Sequence, residues 1–99
     1  MAISSSKNGN VVTISISGRF DFSSHKEFRE AYSTTDGAAS EYVVDMSATE
    51  YIDSSALGML LLLREHAGSE QAKISIRGTR TEVKDILIVS NFDKLFVLN

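Results

Sequence analysis

Apolar and small polar residues alternate along Val11-Val12-Thr13-Ile14-Ser15-Ile16-Ser17, and β-branched types dominate. A period of two puts every second side chain on one face, so the segment is predicted to be a strand with one buried face, broken at Gly18. Upstream, Ile3 to Ser6 suits a short strand, and Lys7-Asn8-Gly9-Asn10 is a tight turn, Asn-Gly being a strong hairpin signal. Beyond Gly18, Ser23 or Ser24 can cap a helix running to about Tyr32, with Phe28 and Ala31 or Tyr32 on one face. Ser33 to Ser40 reads as a loop around Asp36-Gly37. Tyr42 to Asp45 suits a central strand. Ser54 to about Ala67 is a second helix, apolar nearly all round and therefore expected to be covered on several sides. Lys73 to Arg77 alternates and is a strand. Thr81 to about Val89 is a third helix with Val83, Ile86 and Leu87 inward, and Leu95 to Leu98 is a last strand. Strands alternating with helices predict an α/β sandwich with parallel pairs.

The 99 residues suit a single domain over 1–99, and 42% hydrophobic content can fill one modest core. The longest apolar run, Ala56 to Leu63, is far short of the ~18 residues of a membrane span. The start, Met-Ala-Ile-Ser-Ser-Ser-Lys, lacks the apolar stretch of a secretory signal. Without cysteine there is no disulfide framework, thiol chemistry or cysteine metal site. A cytoplasmic protein with no membrane association is therefore expected. A net charge of −3 argues against sequence-independent nucleic-acid binding, which needs a basic surface. Arg77, Arg80 and Lys84 read as a solvated face.

The candidate chemistry lies in Asp53-Ser54-Ser55, just ahead of the aliphatic run. Asp or Ser there suits a helix cap, and one serine can cap while the other stays free. A free hydroxyl at a helix N-terminus is a good address for phosphate, since N–H groups and dipole both favour negative charge. His25 and His66 do not complete a hydrolase: there is no G-x-S-x-G elbow, and nothing in the sequence requires either ring to reach Ser54. They lack metal-ligand spacing and are expected on solvated helix positions. No Gly-rich phosphate loop is present, and no cofactor, metal or catalytic residue is expected.

Asp53-Ser54-Ser55-Ala56-Leu57-Gly58 resembles the D-S-[ST]-G-L-G signature of the STAS domain, the anti-sigma factor antagonist family. Gly18-Arg19-Phe20-Asp21 resembles that family's G-x-[LF]-D loop. Ala56 departs from the usual Gly; as a better helix former it leaves the site intact. The resemblance implies a mixed β-sheet with parallel central strands covered by about three to four helices. It implies phosphorylation of Ser54, with Asp21 as a partner contact near that helix end. Asp21 read by itself is a surface residue opening a turn. Around Ser54, partner contacts are expected from Asp21, Asp53, Ser55, Tyr51 and Ile52, although Ser55 suits capping or packing, and Tyr51 and Ile52 suit simple core packing equally well.

In such a family the unphosphorylated protein binds an anti-sigma factor that is typically also its serine kinase, and a metal-dependent serine phosphatase restores it. Gly18 to Phe22, His25, Phe28-Arg29 and Asp53 to Gly68 resemble particularly the HsbA/SypA-like branch, which implies a response-regulator kinase/phosphatase as partner and control of biofilm, motility or secretion. The expectation is a monomeric, non-enzymatic switch; the rivals are a STAS scaffold module of a larger sensory complex and a small serine hydrolase. Leu95 to Leu98 is expected to be the last element, with no extra C-terminal helix of the kind some members carry.

Overall fold

Residues 2–33, 41–68 and 72–99 are described by a computed structural model. The expected loop around Asp36-Gly37 lies outside them. Strands β1 (Ala2–Asn8) and β2 (Val11–Phe20) form an antiparallel hairpin in which Asn8 pairs with Val11 and Ala2 with Ser17. Gly9 sits at the turn with φ +63, a left-handed conformation that costs glycine little. From there the chain steps across the sheet in one direction, through β3 (Glu41–Ile52), β4 (Ile74–Arg77) and β5 (Val97–Leu98), each parallel to its predecessor. The crossovers are α1 (His25–Ser33), α2 (Ser54–His66) and α3 (Thr81–Val89). Right-handed crossovers made in one direction place the helices on one face of a sheet.

Burial follows that layering. Val12, Ile14, Ile16 and Phe20 of β2, Tyr42, Val44, Met46 and Ile52 of β3, and Ile74 and Ile76 of β4 are buried with Phe28, Met59, Leu60, Leu63, Val83 and Leu87 from the helices. The alternate residues Thr13, Ser15, Ser17, Val43, Asp45 and Ser75 are only half-buried, on the sheet's other face. Small polar side chains suit a face that no helix covers.

Several expectations are corrected. Strand β2 does not end at Gly18; it continues to Phe20, and β3 runs to Ile52 instead of stopping at Asp45. The added length contains register shifts: Ser15 pairs with Asp45 but Ser17 with Ala48, and Gly18 pairs with Thr49 but Arg19 with Tyr51. Extra residues on β3 turn its side chains to the wrong face for a period of two, which hides the strand in the sequence. Thr49, fully buried, donates its hydroxyl to the Ile16 carbonyl at 2.8 Å across the first shift. That bond pairs an oxygen the disturbed ladder could otherwise leave unmatched.

Neither Ser23 nor Ser24 opens α1 alone. Asp21 caps a short 3-10 turn over Phe22–Ser24 that leads into the helix, its carboxylate accepting the Ser23 N–H at 3.0 Å while the Ser24 hydroxyl accepts the Asp21 N–H at 3.4 Å. This is a reciprocal capping box with serine in the third position. The all-round burial expected of α2 is not observed: Leu61 and Leu62 are 40% and 48% exposed, because a helix on a single sheet face hides only part of its circumference. Ile86 of α3 likewise faces out, whereas Val83 and Leu87, one turn apart, face in. Strand β5 is shorter than expected because a 3-10 turn over Phe92–Lys94 precedes it and Phe96 follows Phe92 into the core, their rings stacked at 5.3 Å. His66 packs its ring against Tyr32 at 5.0 Å and Tyr42 at 6.3 Å, so it is more engaged than a purely solvated position. Arg77 of the solvated basic group pairs with Asp45 at 3.3 Å.

Candidate functional site

Phe20 and Ile52 form the last pair of the β2–β3 ladder. Both strands then release their chains at one edge of the sheet, into Asp21 and Asp53. The carboxyl ends of parallel strands are where such folds present exposed, addressable groups.

Asp53 caps α2. Its backbone is extended, φ −122 and ψ −175, and its Oδ1 accepts the Ala56 N–H at 2.9 Å. That settles which residue caps: the acid does, not Ser55, which is half-buried in the first turn. Ser54 is the first residue of the helix and is exposed. Its hydroxyl stands at the positive end of the helix dipole, and the cap does not depend on it.

Asp21 faces the same edge. It accepts from the Ser23 hydroxyl at 2.5 Å, and the Arg19 Nε donates to its other oxygen at 3.4 Å. The Ser23 hydroxyl, with help from the Ser23 N–H and Arg19, holds its carboxyl below the usual carboxylate range, against a smaller opposing effect of desolvation. Asp21 is thus a fixed negative charge at neutral pH. The Arg19 guanidinium lies over the Tyr51 ring with Cζ 4.2 Å from the centroid, a cation–π arrangement. Tyr51 is 41% exposed and belongs to the surface, whereas Ile52, 2% exposed, belongs to the core. The structure thus brings Asp21, Asp53, Ser54 and Tyr51 to one edge, with Ser55 partly beneath and Ile52 turned inward.

Two further neighbours, Phe22 and Arg19, are not among the expected contacts. Phe22 is 72% exposed and stacks on His25 with centroids 6.2 Å apart. Arg19 reaches Tyr51 through the shifted β2–β3 register. An acid followed by an aromatic in a capping turn is the one hint of Phe22 that the sequence contains. Exposed aromatic and arginine side chains around a small polar centre have the composition of protein-contact hot spots. A nucleophilic triad does not fit: His66 ends α2, a rise of about 18 Å from Ser54 at 1.5 Å per residue, and His25 is turned onto Phe22. Among the described residues, no group of three or more His, Asp or Glu could hold a metal ion, and no helix is long and apolar enough to cross a membrane.

The chain and its fold are similar to those of known proteins. Residues 3–98 match the family model described as "Mlab, STAS domain". The STAS-domain containing protein PA14_20770 of Pseudomonas aeruginosa strain UCBPP-PA14 is 51% identical over 94 residues, covering 95% of this chain and 93% of that protein. An anti-sigma factor antagonist from Mycobacterium paratuberculosis has a similar structure, with TM-score 0.78 and 24% identity over 98% of this chain and 83% of that one. The Bacillus cell fate determinant SpoIIAA in its phosphorylated form has TM-score 0.76 and 16% identity, over 99% of this chain and 91% of that one.

Proposed function

We propose that this chain, which belongs to the STAS family, is an anti-sigma factor antagonist: a partner switch controlled by phosphorylation of Ser54. The observation that carries the proposal is the division of labour at the start of α2, where Asp53 holds the cap and Ser54 is exposed beside it. The hydroxyl can be modified without undoing the helix. A fold similar to that of a phosphorylated SpoIIAA supports it.

In the proposed cycle the unphosphorylated edge binds an anti-sigma factor that is also a serine kinase. The kinase transfers the γ-phosphoryl of ATP: the Ser54 Oγ–P bond forms, the bond from that phosphorus to the β-phosphate oxygen breaks, the hydroxyl proton passes to a base of the kinase and ADP leaves. Nucleotide and metal belong to the kinase. A metal-dependent serine phosphatase, or the phosphatase activity of a response-regulator kinase/phosphatase, reverses the step. The protein itself acts as a cytoplasmic monomer and performs no catalysis, in control of biofilm formation, motility or secretion.

The phosphate brings about −1.5 to −2 charges and three acceptor oxygens. The helix dipole favours it by about 0.3–1 kcal/mol, and Asp21 and Asp53 oppose it, so the fold persists while the surface offered to the partner becomes more negative. Incubation with the cognate kinase and ATP, followed by phosphopeptide sequencing, tests the proposal. Phosphate on Ser54 supports it; phosphate on Ser55 alone, or none, overturns it. The exposed Leu62, Ile88 and Val89 favour one other reading, the same domain as a scaffold module of a larger sensory complex. Multi-copy assembly in solution, in place of a one-to-one complex with a kinase, would decide for the scaffold.

A further inference from the structure

Arg19 occupies an unusual position. It is bound twice, to the Asp21 carboxylate at 3.4 Å and over the Tyr51 ring at 4.2 Å, yet its side chain is 65% exposed. Both attachments are of the weakly held kind that exposed charges make, since solvent competes for each. Register fixes where it can reach. Arg19 pairs with Tyr51, and its Nε reaches Asp21, the first residue after β2, just as Asp53, the first residue after β3, leads into Ser54. The guanidinium is therefore shared between a carboxylate and an aromatic ring, and its strand partner Tyr51 lies three residues before Ser54.

We infer that Arg19 is the residue through which the domain responds to phosphate on Ser54: its guanidinium leaves Asp21 and Tyr51 and binds the phosphate. This rests on the phosphorylation of Ser54 proposed above. A phosphoserine dianion offers about twice the charge of the Asp21 carboxylate, and its oxygens match the planar donor fork of arginine two at a time. The exchange has two consequences. Phosphate charge that Asp21 and Asp53 would otherwise repel acquires a counter-ion, so the first turn of α2 tolerates it. At the same time Asp21 loses its cation and the Tyr51 ring loses its cover, so a partner fitted to the paired Arg19–Asp21–Tyr51 surface meets a different one. Arg19 acts by positioning; it transfers nothing itself.

The test uses full-length protein with phosphoserine encoded at position 54 during translation, so it does not depend on any kinase. A phosphorus NMR titration reads the second ionisation of the phosphate. The expected result is an apparent pKa lower in the Arg19-containing protein than in Arg19→Gln by about half a unit or more, since a bound guanidinium favours the dianion. Thermal melts accompany it: phosphorylation should lower the melting temperature of Arg19→Gln more than that of wild type. Identical titrations overturn the inference. Should Arg19→Gln not fold, the Nε–H resonance of Arg19 in wild-type protein decides. It must move on phosphorylation, as the proton exchanges the shielding Tyr51 ring for a phosphate oxygen; an unmoved resonance overturns the inference. A kinase that fails to modify Ser54 counts against the proposed function alone, because the encoded phosphoprotein tests Arg19 separately.

Discussion

Ser54 and Asp53 are adjacent and have separate duties, and substitutions should separate them. Ser54→Asp is expected to weaken binding to the kinase partner severely, since misplaced like charge at an interface costs several kcal/mol, while leaving the melting temperature nearly unchanged. Ser54→Ala is expected to bind as wild type and resist phosphorylation. Its stability cost should stay within about 0.5 kcal/mol, because this is an exposed position away from the cap bond. Calorimetric titration beside thermal melts checks both; a Ser54→Asp protein that binds like wild type removes surface masking as the mechanism. Asp53→Ala is the counterpart. It removes the acceptor of the Ala56 N–H and should cost about 0.5–2 kcal/mol in urea unfolding. A loss confined to Ser54→Ala would mean that the serine holds the helix start.

At the scale of elements, the irregular pairing of β2 with β3 delivers Asp21 and Ser54 to the same edge, and polar side chains pin it. Thr49→Val keeps the shape but removes the buried bond to the Ile16 carbonyl, with an expected cost of about 1–3 kcal/mol. Equal unfolding midpoints for the two proteins would show the bond is dispensable. Asp45 holds the neighbouring stretch, accepting the Ser47 N–H at 2.9 Å and pairing with Arg77. The Ser47 hydrogen bonds, helped by Arg77, hold its carboxyl below the usual carboxylate range, as happens at Asp21. For a group depressed in the folded state, the unfolded chain binds more protons between the two pKa values. The stabilisation is then complete above the ordinary carboxylate range and lost as pH falls through the folded value. Melting temperature should therefore drop as pH goes from about 5 toward 2, and less steeply in Asp45→Asn. Parallel acid profiles for the two proteins would contradict this account.

On the scale of the whole molecule, one core joins the sheet to the helices over it. Leu60 of α2 and Ile14 of β2 are both fully buried within it. Leu60→Ala should cost about 2–5 kcal/mol by opening a cavity, and far-ultraviolet dichroism and tyrosine fluorescence should report one shared transition. Transitions that separate would show that the helix layer melts apart from the sheet. The molecule also presents apolar residues outward, Leu61 and Leu62 on α2 and Ile88 and Val89 on α3.

The order of elements was legible in the sequence because hydrophobic periodicity is local: α2 and α3 lie where apolar spacing and start signals placed them, and so does the first half of β2. The Asp-Ser-Ser segment ahead of α2 was legible for the same reason, since a helix start is written in a few consecutive residues. What lay beyond the sequence depends on pairing between distant segments. The reach of β3 to Ile52 is masked by register shifts that only the β2 partner reveals. The choice of Asp53 over serine as cap is set by backbone angles. The outward turn of Leu62 and Ile86 depends on how much of each helix a single sheet covers. Arg19 meets Tyr51 because two strands align them, and no local pattern can encode that alignment. Periodicity determines which elements form; long-range register and one-sided packing decide which side chains meet at the edge.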